Sequence, residues 1–221
     1  MNKILVIAPH PDDEILGVGG TMIKKIRQNY EVYVCIVTKG YPPHFSEERT
    51  NQNRADAIKC HKSIGVKGTI FLDFPAVSLE TVDRSELNGK LLDVIRHIQP
   101  NEVYIPHYGD MQRDHIIVAE ACMVALRPKY FPQVKRIYGY ETMSETNWNT
   151  PNIQNAFIPN VFVDITDTLT DKLDALSHFS LQVSEFPDAR STGAIEALAK
   201  YRGSLMHWPA AEAFMLIREL E

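Results

Sequence analysis

Apolar runs alternate with segments of helical period along most of the chain. The first run, residues 3–8 (KILVIA), is continuous, as is typical of a strand buried on both faces, and residues 15–28 then follow a helical period. The same criteria predict further strands over 31–38, 69–74, 102–107, 134–141 and 160–166, and helices over 48–65, 87–100, 114–128, 166–182 and near 193–203. Strands that alternate with helices form right-handed βαβ units on a parallel sheet.

This alternation predicts an α/β fold: a Rossmann-like, mostly parallel sheet flanked by helices in a three-layer αβα arrangement. The C-terminal run 213–220 (AFMLIREL) fits either a helix or a strand, and the Pro- and Asn-rich residues 144–160 predict a loop. Thr166 or Asp167 is the expected N-cap of the helix that follows residue 165. Because no repeat or linker interrupts the pattern, residues 1–221 are expected to form a single domain.

Composition narrows the classes of protein that fit this pattern. The 221 residues are 44% hydrophobic and 23% charged, which suits one globular core. The net charge of -5 argues against nucleic acid as a partner. Cys35, Cys60 and Cys122 are widely spaced, which is typical of reduced thiols in a cytoplasmic protein. The polar segment PHPDDE interrupts the N-terminal apolar run too early for a signal peptide or a membrane span, so we expect a cytoplasmic location without membrane insertion.

Polar residues follow the predicted strands, and in an open α/β sheet ligands bind beyond the carboxyl ends of the strands. We expect the segments at these ends to meet in space: residues 10–14 (HPDDE), 38–40 (TKG), 73–75 (DFP), 106–115 (PHYGDMQRDH) and 140–142 (YET).

A dinucleotide site is the first alternative for such a strand, turn and helix. It requires glycines in the turn itself, so that backbone amides can approach a pyrophosphate. Here the turn is HPDDE, and Gly17, Gly19 and Gly20 follow a helical turn later. Three carboxylates would repel phosphate, so a nucleotide-binding oxidoreductase is disfavoured.

Histidines and carboxylates together suit a divalent cation such as zinc, which takes mixed nitrogen and oxygen ligands. The first loop offers His10 with Asp12 or Asp13, and a second loop offers further candidates: His107, Asp110, Asp114 and His115. The simpler alternative is that the acids only stabilise a helix N-terminus, where negative charge is favourable. Three acids after His-Pro, with a second His/Asp cluster at another strand end, favour a metal site.

The segment APHPDDE, followed by the small-residue helix LGVGG, resembles the PIG-L/LmbE family of zinc-dependent N-deacetylases that act on N-acetylglucosamine-type sugars. Arg54 with Asp56 and Gly65, and the segment DMQRDH, resemble further family motifs. NVFVDIT, RG and AEAF extend the likeness over nearly the whole chain.

The resemblance implies roles for individual residues. His10, Asp13 and His115 would bind Zn²⁺, and Asp12 would act as the general base on a water molecule. The substrate would contact three further side chains: Arg54, Asp110 and Gln112. The implied reaction is metal-assisted hydrolysis of the acetamide of an amino-sugar derivative. The expected partner is therefore this small-molecule substrate. A homo-oligomer is compatible with this prediction.

Gln112 departs from the family pattern, because a histidine usually stands two residues after Asp110. A glutamine amide can hydrogen-bond to an oxyanion but cannot give up a proton. Asp12 could return the proton it takes, or His107 or His207 could supply one. The alternative is a metal- or sugar-binding protein of the same fold with weak or no hydrolytic activity.

Overall fold

The computed structural model describes residues 2–221, which form one seven-stranded sheet and six α-helices. The elements are β1 (Lys3–Ala8), α1 (Asp13–Arg27), β2 (Glu31–Lys39), α2 (Glu47–Ile64), β3 (Gly68–Pro75), α3 (Arg84–Ile98), β4 (Glu102–Pro106), α4 (Arg113–Ala125), β5 (Arg136–Tyr140), β6 (Val161–Asp164), α5 (Leu169–Leu176), α6 (Thr192–Ser204) and β7 (Ala211–Glu219). Two 3-10 turns, Leu79–Thr81 and Thr166–Thr168, precede α3 and α5.

The strand order is β3-β2-β1-β4-β5-β7-β6. The first five strands pair in parallel, whereas β7 is antiparallel to both β5 and β6. The predicted mostly parallel α/β sheet is therefore confirmed. The C-terminal run is a strand because it enters the sheet between β5 and β6.

The continuous apolar run of β1 is explained by burial on both faces. Leu5 and Ile7 belong to a core cluster that includes side chains of α3 and α4. Ile4 and Val6 belong to the opposite cluster, with side chains of α1, α2, α5 and α6. Alternate strand residues point to opposite faces, so helices cover the sheet on both sides in three layers.

The sheet order reverses at β1, whose neighbours are β2 and β4. Such a reversal opens a crevice beyond the carboxyl ends of the two strands, where ligands bind in α/β sheets. The segment after β1 contains His10 to Glu14, and the segment after β4 contains His107 to His115. Topology thus brings together two polar segments that lie about a hundred residues apart in the chain.

The predicted helix over 166–182 is shorter than expected. Residues Thr166–Thr168 form a 3-10 turn, and α5 ends at Leu176. The expected N-cap at Thr166 or Asp167 is wrong: Thr168 precedes α5, without a side-chain cap. The Asp164 carboxylate instead accepts the backbone N–H of Thr166 at 2.9 Å, which favours a tight turn at this point.

None of the helices within residues 2–221 is long and apolar enough to cross a membrane. Cys35, Cys60 and Cys122 are all buried free thiols.

Candidate metal centre and substrate cavity

The turn between β1 and α1 holds a strained residue. Asp12 has a φ of 112°, in the left-handed region that non-glycine residues rarely occupy. Its carbonyl oxygen accepts the N–H groups of Ile15 and Leu16, each at 2.9 Å, and so begins α1. Behind the turn, Glu14 Oε2 accepts the Asp12 N–H at 3.2 Å, and Glu14 Oε1 lies 2.9 Å from His61 Nε2. Glu14 therefore supports the turn, with buried His61 as its partner.

Three potential metal ligands converge at this turn. His10 Nδ1 and His115 Nε2 each lie 3.3 Å from Asp13 Oδ2. One ligand atom from each of His10, Asp13 and His115 can be chosen so that all lie within 4.8 Å of one another. Asp13 Oδ1 and His115 Nε2 are buried without a hydrogen-bond partner, which is costly in a protein interior. A cation bound between these atoms would satisfy both.

Two further carboxylates orient the histidine rings. Asp114 Oδ2 lies 3.1 Å from His10 Nε2, and Asp110 Oδ2 lies 2.8 Å from His115 Nδ1. Asp114 is itself held by the N–H of Val77 at 2.7 Å. Each histidine therefore keeps its other ring nitrogen directed toward Asp13. Carboxylates behind ligating histidines are usual in zinc sites, and this donor set of two imidazoles and one carboxylate fits zinc.

Electrostatics couple these groups strongly. Burial raises the pKa of Asp13, but the charge of His115 and the close contacts with both histidine rings outweigh burial and hold that pKa well below its usual value. Burial lowers the pKa of His115, but Asp13 and Asp110 outweigh it and raise that pKa to about 10. The site therefore retains a positive charge beside Asp13, and a metal cation would take the place of that proton.

Asp12 lies beside this cluster and has almost no exposed surface. Its Oδ2 accepts the Arg190 Nη1–H at 3.0 Å, while its Oδ1 has no hydrogen-bond partner. Burial raises the pKa of Asp12 to about 8; Arg190 opposes the shift, and the charges of Asp13 and Glu14 add to it. One carboxylate oxygen is thus held, and the other is free to accept a proton.

Arg190 was not predicted as a site residue from the sequence. It reaches Asp12 from a loop 178 residues further along the chain. Its Nε–H donates to Ser144 Oγ at 3.0 Å, and its Nη2 lies 3.5 Å from Glu145 Oε1. A single arginine in a loop has no spacing that would have identified it; only the folded chain places it here.

A cavity of about 240 Å³ adjoins the cluster and is lined by His10, Gln112 and Arg190, among others. Its size is slightly below the range of roughly 300 to 1,000 Å³ typical of ligand sites, which suits a compact ligand. Arg54 also lines the cavity, with Nη1 2.6 Å from Asp73 Oδ1 and its guanidinium 3.9 Å from the centre of the Phe71 ring.

Three residues were predicted to bind substrate, and two of them lie in the cavity wall: Arg54 and Gln112, which immediately precedes α4. Asp110 does not. It is completely buried behind His115 and also accepts the Thr146 hydroxyl at 2.6 Å. Both carboxylate oxygens of Asp110 are thus engaged within the protein, and the contact with His115 Nδ1 places Asp110 to orient that histidine.

The two histidines considered as substitutes at position 112 lie outside the cavity wall. His107 is buried, with Nε2 3.0 Å from the carbonyl oxygen of Asn155. His207 is exposed, in the turn that follows α6. Gln112, by contrast, lines the cavity.

Comparison with known proteins decides the family. The family model described as PIG-L, GlcNAc-PI de-N-acetylase, matches residues 5–126, more than half of the chain. The chain belongs to the PIG-L family. The matched region contains all three candidate metal ligands and Asp12, but not Arg190.

Curated relatives of this PIG-L protein include proteins named as deacetylases. An uncharacterised deacetylase, YaiS, of Escherichia coli K12 is 28% identical over 182 residues, which cover 78% of this chain and 88% of that protein. The diacetylchitobiose deacetylase of Thermococcus kodakarensis is 28% identical over 200 residues, which cover 85% of this chain and 72% of that enzyme.

Solved structures share the whole fold at lower identity. The conserved protein TT1542 of Thermus thermophilus superimposes with a TM-score of 0.79 at 24% identity, covering 100% of this chain and 97% of that one. GalB, a 4-carboxy-2-hydroxymuconate hydratase of Pseudomonas putida KT2440, gives a TM-score of 0.76 at 20% identity, covering 100% of this chain and 98% of that one. Since a hydratase shares the fold, the chemistry of this chain has to be argued from its own site residues.

Proposed function

We propose that this PIG-L protein is a zinc-dependent N-deacetylase that hydrolyses the acetamide of an N-acetylated amino-sugar derivative to a free amine and acetate. The observation that carries the proposal is the convergence of His10, Asp13 and His115 beside an Asp12 carboxylate with one free oxygen. The relatives named as deacetylases and the family description support the same chemistry.

His10 Nδ1, Asp13 and His115 Nε2 would hold the ion. When bound, zinc lowers the pKa of water to about 7 and polarises the acetyl carbonyl. The free Oδ1 of Asp12 is placed to take a proton from the attacking water, while Arg190 holds the other carboxylate oxygen. The Gln112 side-chain amide can donate a hydrogen bond to the oxyanion that develops on the acetyl group.

The C–N bond breaks when the departing nitrogen receives a proton. Gln112 has no proton to give, so Asp12 is assigned both transfers: it returns to the nitrogen the proton that it took from water. Water thus supplies the hydroxyl of the acetate and one hydrogen of the new amine, which balances the reaction.

The test compares variants at two adjacent aspartates. Acetate release from N-acetylated glucosamine derivatives is measured for the zinc-loaded protein, together with zinc content. Asp12→Asn is expected to lower kcat by about a hundred- to ten-thousand-fold, the contribution typical of a general base, and to keep zinc. Asp13→Asn is expected to lose zinc and activity together. Unchanged turnover in Asp12→Asn would overturn the assignment.

Gln112 in the cavity wall favours a second candidate function, a metal- and sugar-binding protein with little hydrolysis. Gln112→His separates the two proposals. Strong turnover in the wild-type protein supports the deacetylase, whereas zinc and sugar binding without turnover, followed by strong activity in Gln112→His alone, supports the binding protein.

We further propose a cytoplasmic location, which the three buried free thiols support.

A further inference from the structure

The cavity wall carries more positive than negative charge. Four cationic side chains line it: Lys39, Arg49, Arg54 and Arg190. Two acidic side chains line it as well: Asp73 and Glu145. Whether this excess is available to a ligand depends on which cations already have partners.

Two of the cations are paired. Arg54 Nη1 lies 2.6 Å from Asp73 Oδ1, and Arg190 contacts both Asp12 and Glu145. Both acidic side chains of the cavity wall are therefore already paired with arginines.

Lys39 and Arg49 have no such partners. Among residues 2–221, no carboxylate lies within 4.0 Å of the charged group of Lys39 or Arg49. The Lys39 ammonium lies 5.1 Å from the centre of the Tyr41 ring, a contact that does not neutralise its charge. Two free positive charges therefore face the cavity of a protein whose net charge is -5.

Local structure explains how these two side chains come together. Lys39 is the last residue of β2, and Arg49 lies in the first turn of α2, which Ser46 caps. The Thr50 hydroxyl donates to the Gly40 carbonyl at 3.0 Å and ties the start of the helix to the end of the strand. A cation near a helix N-terminus is disfavoured by the helix dipole, so Arg49 is poorly placed for helix stability.

A polar atom without a partner lies one turn further along α2. Asn53 also lines the cavity, and its Oδ1 is buried without a hydrogen-bond partner. An amide oxygen in this state can accept a hydrogen bond from a hydroxyl group of a ligand. The helix that carries Arg49 thus also carries an unpaired acceptor in a residue of the cavity wall.

We propose that the amino-sugar substrate carries an anionic group, a phosphate or a carboxylate, and that Lys39 and Arg49 bind it and determine specificity. The inference rests on the proposed function for the position of the acetamide, because His10 and Gln112 line the same cavity. The guanidinium of arginine matches the geometry of both anions, and a local positive field offsets the repulsion that the negative net charge exerts on an anionic substrate.

Three N-acetylglucosamine probes test the proposal: the methyl glycoside, the carboxymethyl glycoside and the 1-phosphate. Acetate release by the zinc-loaded protein should favour the charged probes. Arg49→Met and Lys39→Met should each raise KM for the charged probes by about tenfold, as expected for one lost charge-assisted contact, with kcat retained. The methyl glycoside should change by less than about twofold. Lys59→Met, an exposed position on α2 outside the cavity, is the matched control and should change nothing.

Calorimetric titration with glucosamine 1-phosphate, the deacetylated counterpart, separates this inference from the proposed function. Binding that weakens with salt and with Arg49→Met, without acetate release from any probe, supports the anion site and contradicts the deacetylase. Equal hydrolysis of all three probes, unaltered in Arg49→Met and Lys39→Met, overturns the anion site and supports the deacetylase. A preference for only one charged probe supports the site and identifies the anion as phosphate or carboxylate.

Discussion

Asp12 is the residue at which backbone strain and charge are concentrated. Its φ of 112° is unusual for a residue with a Cβ, and its carboxylate is almost fully buried and close enough to the charges of Asp13 and Glu14 for both to raise its pKa. Strain of this kind costs roughly 1–3 kcal/mol and persists only where surrounding contacts impose it. Here the carbonyl cap of α1 and the contacts from Glu14 and Arg190 impose it.

Arg190 is expected to act through Asp12. Arg190→Met removes the hydrogen bond to Asp12 Oδ2, worth about 1.5–3 kcal/mol for a charged group, so kcat should fall by roughly ten- to a hundredfold with zinc content retained. Because the Arg190 charge lowers the pKa of Asp12, its loss should also move the acidic limb of the pH–rate profile to higher pH. Arg190→Lys should recover part of the rate. Arg96→Met, in an exposed ion pair, is the control; an unshifted profile would show that Arg190 has only a structural role.

Protonation of the site should make the stability of the metal-stripped protein depend on pH. The pKa of Asp12 is raised to about 8, mainly by burial, and that of His115 to about 10, where Asp13 and Asp110 outweigh burial. A group with a raised folded-state pKa contributes stability that is complete below its unfolded pKa and is lost as pH rises through the folded one. For Asp12 this window runs from 3.8 to about 8, and for His115 from 6.5 to about 10.

The free energy of unfolding in chelator should therefore fall as pH rises through these windows, by up to about 1.4 kcal/mol per pH unit for each group. Urea unfolding at a series of pH values measures the slope. Asp12→Asn should abolish the decrease in unfolding free energy that the Asp12 carboxyl causes below about pH 8. Asp93→Asn, at an exposed carboxylate, should leave the slope unchanged. A profile that is flat from pH 5 to 9, a range chosen around these windows, would contradict the expectation.

At the scale of elements, α1 is held against the sheet through its glycines. A Cβ at Gly17 would lie 2.3 Å from Tyr140 Cδ2 and 2.9 Å from the Glu141 carbonyl oxygen. The helix that carries Asp13 therefore approaches the end of β5 more closely than any side chain would allow. This close approach explains why glycine is needed in the segment LGVGG. A phosphate-binding role is not required to explain it.

Gly17→Ala should destabilise the protein by about 1–3 kcal/mol, because the cost of overpacking exceeds the gain in helix propensity. Gly89→Ala is the control within α3, where nothing lies within 4 Å of the added Cβ, and it should stabilise by about 0.5–1 kcal/mol. Urea unfolding of both variants provides the comparison. Equal effects of the two substitutions would show that close packing at Gly17 is unimportant.

At the scale of the whole molecule, a buried ion pair joins three elements. Lys172 of α5 lies 2.7 Å from Glu212 of β7, and its ammonium donates to the Leu16 carbonyl of α1 at 2.8 Å. Glu212 also accepts the backbone N–H groups of Gly20 and Thr21. The C-terminal strand is thereby fixed to the helix that leads from the candidate metal centre.

Lys172→Met should destabilise the protein by about 3–5 kcal/mol, because it leaves the Glu212 carboxylate buried without its counter-ion. Adding Glu212→Gln should recover part of that loss. Lys200→Met breaks an exposed pair with Glu196 on α6 and should cost at most about 0.5 kcal/mol. Denaturant unfolding of the three variants tests the expectation; a small effect of Lys172→Met alone would refute it.

The sequence by itself determined the alternation of strands and helices, the position of HPDDE at a strand end and the family, because periodicity and turn chemistry are local properties. Tertiary structure decided which distant residues meet. It placed His115 against His10, buried Asp110 behind it, and brought Arg190 to Asp12. The C-terminal run, whose pattern fits either a helix or a strand, forms a strand because it pairs with β5 and β6 in the sheet. These outcomes depend on strand order and packing across the sheet, which no local pattern encodes.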